Sequence, residues 1–180
     1  MRALLDACVL YPTVMREVLL GVARRGLFKP LWSARILEEW ARAAAKLGEE
    51  QQAVARGEIA LMRGAWPGRE VAGDPALEAT LDLPDPADRH VLAAAIAGGA
   101  EVIVTLNLRD FPARTLAGHG LRVTHPDAFL RALHSEAPDE IRAAAEAVRS
   151  EAERLSGEDW EIRKLMKKAG LPRLGKALAG

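Results

Sequence analysis

An α/β fold with parallel strand pairing is predicted by three observations. Short apolar, β-branched runs alternate with helix-favouring segments, most clearly from Asp82 to Leu133. Such β–α–β crossovers carry helices over the sheet faces. Acidic residues fall where strands end or helices begin, which is where open parallel sheets collect ligands. The last stretch, from about Pro138, changes to helical stripes between charged flanks and reads as a helical extension. Two domains are therefore expected, residues 1–135 as the α/β body and 136–180 as a helical extension with a basic tail.

The 180 residues suffice for one well-buried α/β domain with an appendage. Lys plus Arg equals Asp plus Glu at 25 each, which excludes a uniformly basic nucleic-acid binder, so any such contact needs a local patch. The single cysteine, Cys8, excludes an intramolecular disulfide. No charged-then-apolar leader precedes the first strand, and no apolar run approaches a membrane span. A soluble, cytoplasmic protein with no membrane partner is expected.

Arg2 to Ala7 (RALLDA) reads as the first, central strand with Asp6 at its carboxyl end. A lone acid in an apolar run is costly unless paired, hydrogen-bonded or bound to a cation. Taken alone, Asp6 reads first as the cap of the next helix. Tyr11 and Pro12 open a helix that ends near Arg24, Arg25 and Gly26, where basic residues suit a helix C-terminus. Phe28 to Trp32 is a short connector open to an extended conformation. Ser33 is an N-cap for a helix from Ala34 to Leu47 with the stripe Ile36, Leu37, Trp40, Ala44 and Leu47. Glu38 lies nearly opposite that stripe and Glu39 beside it, roughly 100° further round. An acid on the flank of a buried stripe can face a cleft, so Glu39 is the better site candidate and Glu38 the alternative.

Glu49 to Arg63 forms another helix, stopped by Trp66-Pro67-Gly68. Gly73, Asp74 and Pro75 mark a turn, followed by a short edge strand around Leu77 to Leu83. Asp85 then acts as N-cap with Pro86 at the first helical position and Asp88 at the third. The helix from His90 to Ala97 ends at Gly98-Gly99. Val102 to Val104 is a buried strand, followed by the polar turn Thr105 to Phe111. Leu121 to Thr124 is the last strand. Thr124 with Asp127 reads as a capping box for a helix through Phe129, Leu130 and Leu133. A stripe of Ile141, Ala145, Val148, Ala152 and Leu155 predicts the next helix, broken at Ser156-Gly157. Trp160, Leu165 and Met166 predict a final short one. From Ile162 to Gly180 there are six basic residues and no acid.

The chemistry-bearing set is Asp6, Glu39, Asp85, Asp88 and Asp110, with Thr105 and Asn107 as neutral oxygen donors. Clustered carboxylates are tolerable only if some protonate or a cation sits among them. Oxygen ligands suit Mg2+ or Mn2+ rather than zinc. Such a site can activate water and stabilise a phosphodiester undergoing in-line displacement. The four histidines, His90, His119, His125 and His134, show no metal-ligand spacing and read as surface or packing residues. A phosphate-binding G-x-x-x-x-G-K-[ST], a G-x-G-x-x-G after the first strand and a G-x-S-x-G elbow are all absent.

Order and spacing together resemble the PIN domain, a family of Mg2+- or Mn2+-dependent nucleases that includes the VapC toxins of toxin–antitoxin pairs. Asp6 matches the acid ending the first strand, and Glu39 (or Glu38) the acid of the following helical region. Asp88 matches the acid of the D-x-x-x-x-x-A-x motif, here Asp88 to Ala95. Thr105 to Phe111 (TLNLRDF) resembles the family's T-x-[ND]-x-x-D-F. Family members often carry a fourth acid where this chain has Asn107, or near Asp110. The resemblance covers residues 2 to 134. It implies a three-layer fold with a five-stranded parallel sheet between helices, and a homodimer. It implies a metal-dependent endoribonuclease in which Asp6, Glu39, Asp88 and Asp110 hold Mg2+ or Mn2+, supported by Thr105 and Asn107. RNA is the implied substrate and a cognate antitoxin protein the implied partner. The alternative is a catalytically weak PIN-like module that binds RNA or protein. The basic tail, or Arg24, Arg25, Lys29 and Arg35, would hold the phosphate backbone.

Overall fold

Five short parallel strands carry the structure, a computed structural model that describes all 180 residues. In chain order the elements are β1 (Arg2–Leu5), α1 (Ala7–Leu10), α2 (Thr13–Arg24), β2 (Lys29–Ser33), α3 (Ala34–Ala45), α4 (Glu49–Ala65) and β3 (Glu70–Val71). There follow α5 (Pro75–Thr80), a 3-10 turn (Pro86–Asp88), α6 (Arg89–Ala97), β4 (Val102–Val104), a second 3-10 turn (Leu108–Asp110), α7 (Ala113–Ala117) and β5 (Arg122–Thr124). The remaining helices are α8 (Pro126–Glu136), α9 (Pro138–Ser156), α10 (Ile162–Lys168) and α11 (Pro172–Leu178). Two compact units result, residues 1–11 with 29–124, and residues 12–28 with 125–180.

The first unit holds the whole sheet, in the order β3-β2-β1-β4-β5. β1 is central, as its apolar composition predicts. Leu4 pairs with Leu31 on one side and Ile103 on the other. Val102, Ile103 and Val104 are fully buried, each burial contributing roughly 1.5–3 kcal/mol. The connector at Phe28–Trp32 proves to contain β2, despite Pro30. Lys29 N–H points to β1, donating to the Met1 carbonyl, and Trp32 N–H points to β3, donating to Arg69. Pro30 therefore faces the β3 side, where β3 pairs only with Trp32 and Ser33, and its missing N–H leaves no partner unsatisfied. α6 packs on β2, β1 and β4, and Gly98 at its end permits close approach. A Cβ there would lie 2.8 Å from Val71 Cγ2 and 3.0 Å from Leu31 Cδ1.

Several local expectations hold. Ser33 caps α3, its Oγ accepting from Ile36 N at 3.2 Å. Asp85 caps the turn before α6, accepting from Ala87 N at 2.8 Å. Others need correction. Residues 75–80 form α5 rather than an edge strand, because Asp74 accepts from Leu77 N and Pro75 occupies the first helical position. The edge is closed instead by the two-residue β3. Leu47 lies beyond the end of α3 and is 68% exposed.

The second unit is helical. α2 packs on α9, with Gly21 against Ala144, and α8 packs on α9 and α11. Phe28 meets Phe129 edge-to-face at 5.1 Å. The expected Thr124–Asp127 capping box does not form. Pro126 at the first helical position makes His125 the cap, its Nδ1 accepting from Asp127 N. Buried Asp127 instead accepts from Arg173 N and Leu174 N, both at 2.9 Å, satisfying the start of α11. The region after Gly157 contains two short helices, not one, and Leu155 at the end of α9 is 70% exposed.

Candidate active site

The carboxyl ends of β1 and β4 are adjacent because Leu5 pairs with Val104. Asp6 and Thr105, one residue further on, are thus neighbours. Asp6 N donates to the Val104 carbonyl at 3.2 Å, and the Thr105 hydroxyl donates to Asp6 Oδ2 at 2.7 Å. Asp6 Oδ1 accepts from Ala7 N at 2.7 Å, making Asp6 the N-cap of α1. The cap reading of Asp6 therefore holds, and the same side chain stands at the sheet's carboxyl edge. It is 6% exposed.

Cys8 belongs to this cluster, a placement that no spacing signal in the sequence revealed. Its thiol donates to Asp6 Oδ2 at 3.1 Å, and its sulfur accepts from Leu106 N at 3.3 Å. Burial, and then the Asp6 charge, push the thiol up to about 12. Cys8 is therefore a neutral donor at physiological pH rather than a nucleophile. The Thr105 hydroxyl also accepts from Asn107 N at 3.1 Å, which fixes the turn that carries Asn107 and Asp110.

Asp88 ends the 3-10 turn ahead of α6 and makes no capping bond with its side chain. Its carboxyl is pushed up to about 6, first by burial and then by the charges of Asp6, Asp110 and Asp85. His90 pulls it partly back. Three acids, from the end of β1 (Asp6), the turn before α6 (Asp85) and the turn after β4 (Asp110), thus act on Asp88. Glu39 is held differently. Its Oε1 lies 2.7 Å from Nε2 of His90 and 3.8 Å from Nε of Arg35. Neighbouring Glu38 is turned to Arg56, at 3.1 Å, and Arg42, at 3.4 Å, and the hydrogen bond from Arg56 keeps it below the usual carboxylate range. No three His, Cys, Asp or Glu side chains stand close enough together to hold a metal ion in this arrangement.

Of the two readings for the histidines, surface or packing, His90 takes the second. It is 5% exposed and sits against Glu39. A position two residues after Asp88 could have raised the question, but contact with a glutamate on another helix is not visible in a linear pattern. The cations named as phosphate contacts are partly committed. Arg35 pairs with Glu78 at 2.9 Å, Arg25 donates to the Gly21 carbonyl, and Lys168 lies 4.7 Å from the Trp160 ring.

A model of the PIN domain matches residues 2–109. The chain belongs to the PIN domain family. This PIN domain contains Asp6, Glu39, Asp88, Thr105 and Asn107 within the matched span, with Asp110 directly after it. Over 43 residues the chain is also 56% identical to "Putative ribonuclease VapC50" of Mycobacterium tuberculosis (strain ATCC 25618 / H37Rv). That stretch covers 24% of this chain and 25% of the relative, so it spans about a quarter of the relative's length. No solved structure matches the chain. No helix is long and apolar enough to cross a membrane.

Proposed function

We propose that this PIN domain is a metal-dependent endoribonuclease, the toxin of a toxin–antitoxin pair, acting in the cytoplasm. The observation that carries the reading is the gathering of Asp6, Asp85, Asp88 and Asp110 at the sheet's carboxyl edge, where burial first and then the charges of Asp6, Asp110 and Asp85 push the Asp88 carboxyl up to about 6. Like charges held together in this way are relieved by a divalent cation. The donors are hard oxygens without a histidine or cysteine ligand set, which fits Mg2+ or Mn2+. The fit is one of charge and donor type. Asp6, Glu39, Asp88 and Asp110 are assigned as the metal-binding and catalytic residues, with Thr105 and Asn107 in support.

When bound, such an ion supplies activation of water and stabilisation of charge on a phosphodiester. The chain's own residues do the holding. Thr105 and the Cys8 thiol fix Asp6 Oδ2, and Ala7 N fixes Oδ1, so Asp6 is oriented before any ligand arrives. Asp88 must release its proton to ligate. Asn107 orients substrate or water from the turn pinned by Thr105. RNA is the substrate, a cognate antitoxin and a second copy of the chain are the partners, and residues 136–180 serve the nuclease body of residues 1–135 as an accessory.

The test is cleavage of a mixed RNA pool by purified protein in Mg2+, Mn2+ or EDTA, beside Asp6→Asn and Asp88→Asn. Metal-dependent cleavage lost in both variants is the expected result. Cleavage surviving in both would overturn the site. No cleavage and no Mn2+ binding would favour a PIN-like module that binds RNA or protein without cutting.

A further inference from the structure

His90 carries a polar ring into one of the driest parts of the first unit. Its chain neighbours Val91 and Leu92 are fully buried, and His90 itself is 5% exposed. Neither ring nitrogen has a hydrogen-bond partner of good geometry. A buried polar group left in that state costs free energy unless something engages it. Nε2 is nevertheless 2.7 Å from Glu39 Oε1, a hydrogen-bond distance without the hydrogen-bond angle. His90 also acts electrostatically on Asp88. One buried side chain thus touches the acid of α3 and influences the acid at the start of α6.

Resting on the metal site proposed above, we infer that His90 is a positioning residue, donating from Nε2 to Oε1 of Glu39 and orienting that carboxylate for the divalent cation. The competing donor is a poor one. Arg35 stands 3.8 Å from the same oxygen, is 52% exposed and is already paired with Glu78 at 2.9 Å. Without His90, Glu39 is a half-exposed side chain free to rotate or to follow Arg35 outward. With it, one carboxylate oxygen is committed and the orientation of the other is set. Ligating carboxylates are themselves hydrogen-bonded, and removing such an outer partner lowers metal affinity by about 10–100-fold.

The test is Mn2+ binding by titration calorimetry, with RNA cleavage and thermal melting in parallel. The variants are His90→Leu, His90→Asn, His90→Gln, Glu39→Gln and Asp88→Asn. A glutamine amide nitrogen reaches the place of Nε2, whereas that of asparagine does not. His90→Gln is expected to bind Mn2+ close to wild type. His90→Leu and His90→Asn are expected to lose about 10–100-fold, and to lose nothing further in a Glu39→Gln background. Should His90→Leu fail to fold, the contrast between Gln and Asn decides. Equal loss in Gln and Asn, equal retention in both, or wild-type binding by a folded His90→Leu protein would overturn the inference. Wild-type Mn2+ binding by both Glu39→Gln and Asp88→Asn would overturn the metal site itself. Loss in those two with none in the His90 variants would remove the role of His90 alone.

Discussion

The carboxyl edge of the sheet and helix α9 both gather charged residues and treat them in opposite ways. Along α9, Arg149 meets Glu146 at 2.6 Å and Glu153 one turn away, and Arg154 meets Glu151 at 2.6 Å. These two cations have anions at helical spacing, while Arg142 on the same helix donates to the Leu178 carbonyl. At the sheet edge, burial and then the charges of Asp6, Asp110 and Asp85 raise the cost of ionising Asp88. Charges that pair within one helix belong to its local structure. Acids gathered at a sheet edge without cationic partners of their own are candidates for a functional site instead. The same contrast separates two adjacent residues of α3. Glu38 is engaged by two arginines, whereas Glu39 faces a buried histidine.

The largest expected effect lies at the edge. Asp6→Asn and Asp88→Asn each lower RNA cleavage by at least about a hundredfold, the scale of losing one group that stabilises transition-state charge. Glu39→Gln should follow them, while Glu38→Gln leaves turnover unchanged. Equal losses in the two glutamate variants would erase the distinction between them.

Next is pH. Asp88 has a folded pKa of about 6 against an ordinary 3.8, so its proton is held more tightly in the native state. The stability it contributes in the metal-free protein is complete below 3.8 and lost as pH rises through about 6. Asp88→Asn should therefore raise the Tm of metal-free protein at neutral pH, by roughly 2–4 °C if the relief is about 1 kcal/mol. The gain should vanish in acid. Mn2+ affinity of the wild-type protein should fall as pH drops through 6, because protonated Asp88 competes with the ion.

Smaller effects are expected at Cys8. Cys8→Ala removes one donor to Asp6 Oδ2 and should cost about 0.5–1.5 kcal/mol in a denaturant melt. Cys8→Ser keeps a donor and should cost less. With its thiol near 12, Cys8 should react slowly with iodoacetamide at pH 8 in native protein and fast once unfolded. The smallest effect belongs to α9, where Arg154→Ala should alter neither Tm nor cleavage measurably.

Much of this arrangement is legible in the chain because its signals are local. Asp6 ends an apolar run, Ser33 precedes a helical stripe, Asp85-Pro86 opens a helix and Gly98-Gly99 closes it. What escapes is decided at long range. Asp127 follows Thr124 at capping-box spacing, yet it binds amides 46 and 47 residues away at the start of α11. β2 is hidden by Pro30, which is harmless only because β3 is too short to need its N–H. Asp74-Pro75 reads as a turn and is equally a helix start, and the cap that Asp74 gives to Leu77 N decides between them. In the site, the order of acids along the chain marks Asp6 and Asp88. That Cys8 bonds Asp6 and His90 faces Glu39 depends on strand register and helix packing, which no linear spacing encodes.

The account turns on a cluster of acids that waits for a cation, and the titration of Asp88 tests it most directly. The 13C chemical shift of its carboxyl carbon, followed against pH in metal-free protein, should report a pKa of about 6. Added Mg2+ should then lower that pKa and hold the group ionised. A value near that of an ordinary aspartate, unmoved by Mg2+, would contradict the account.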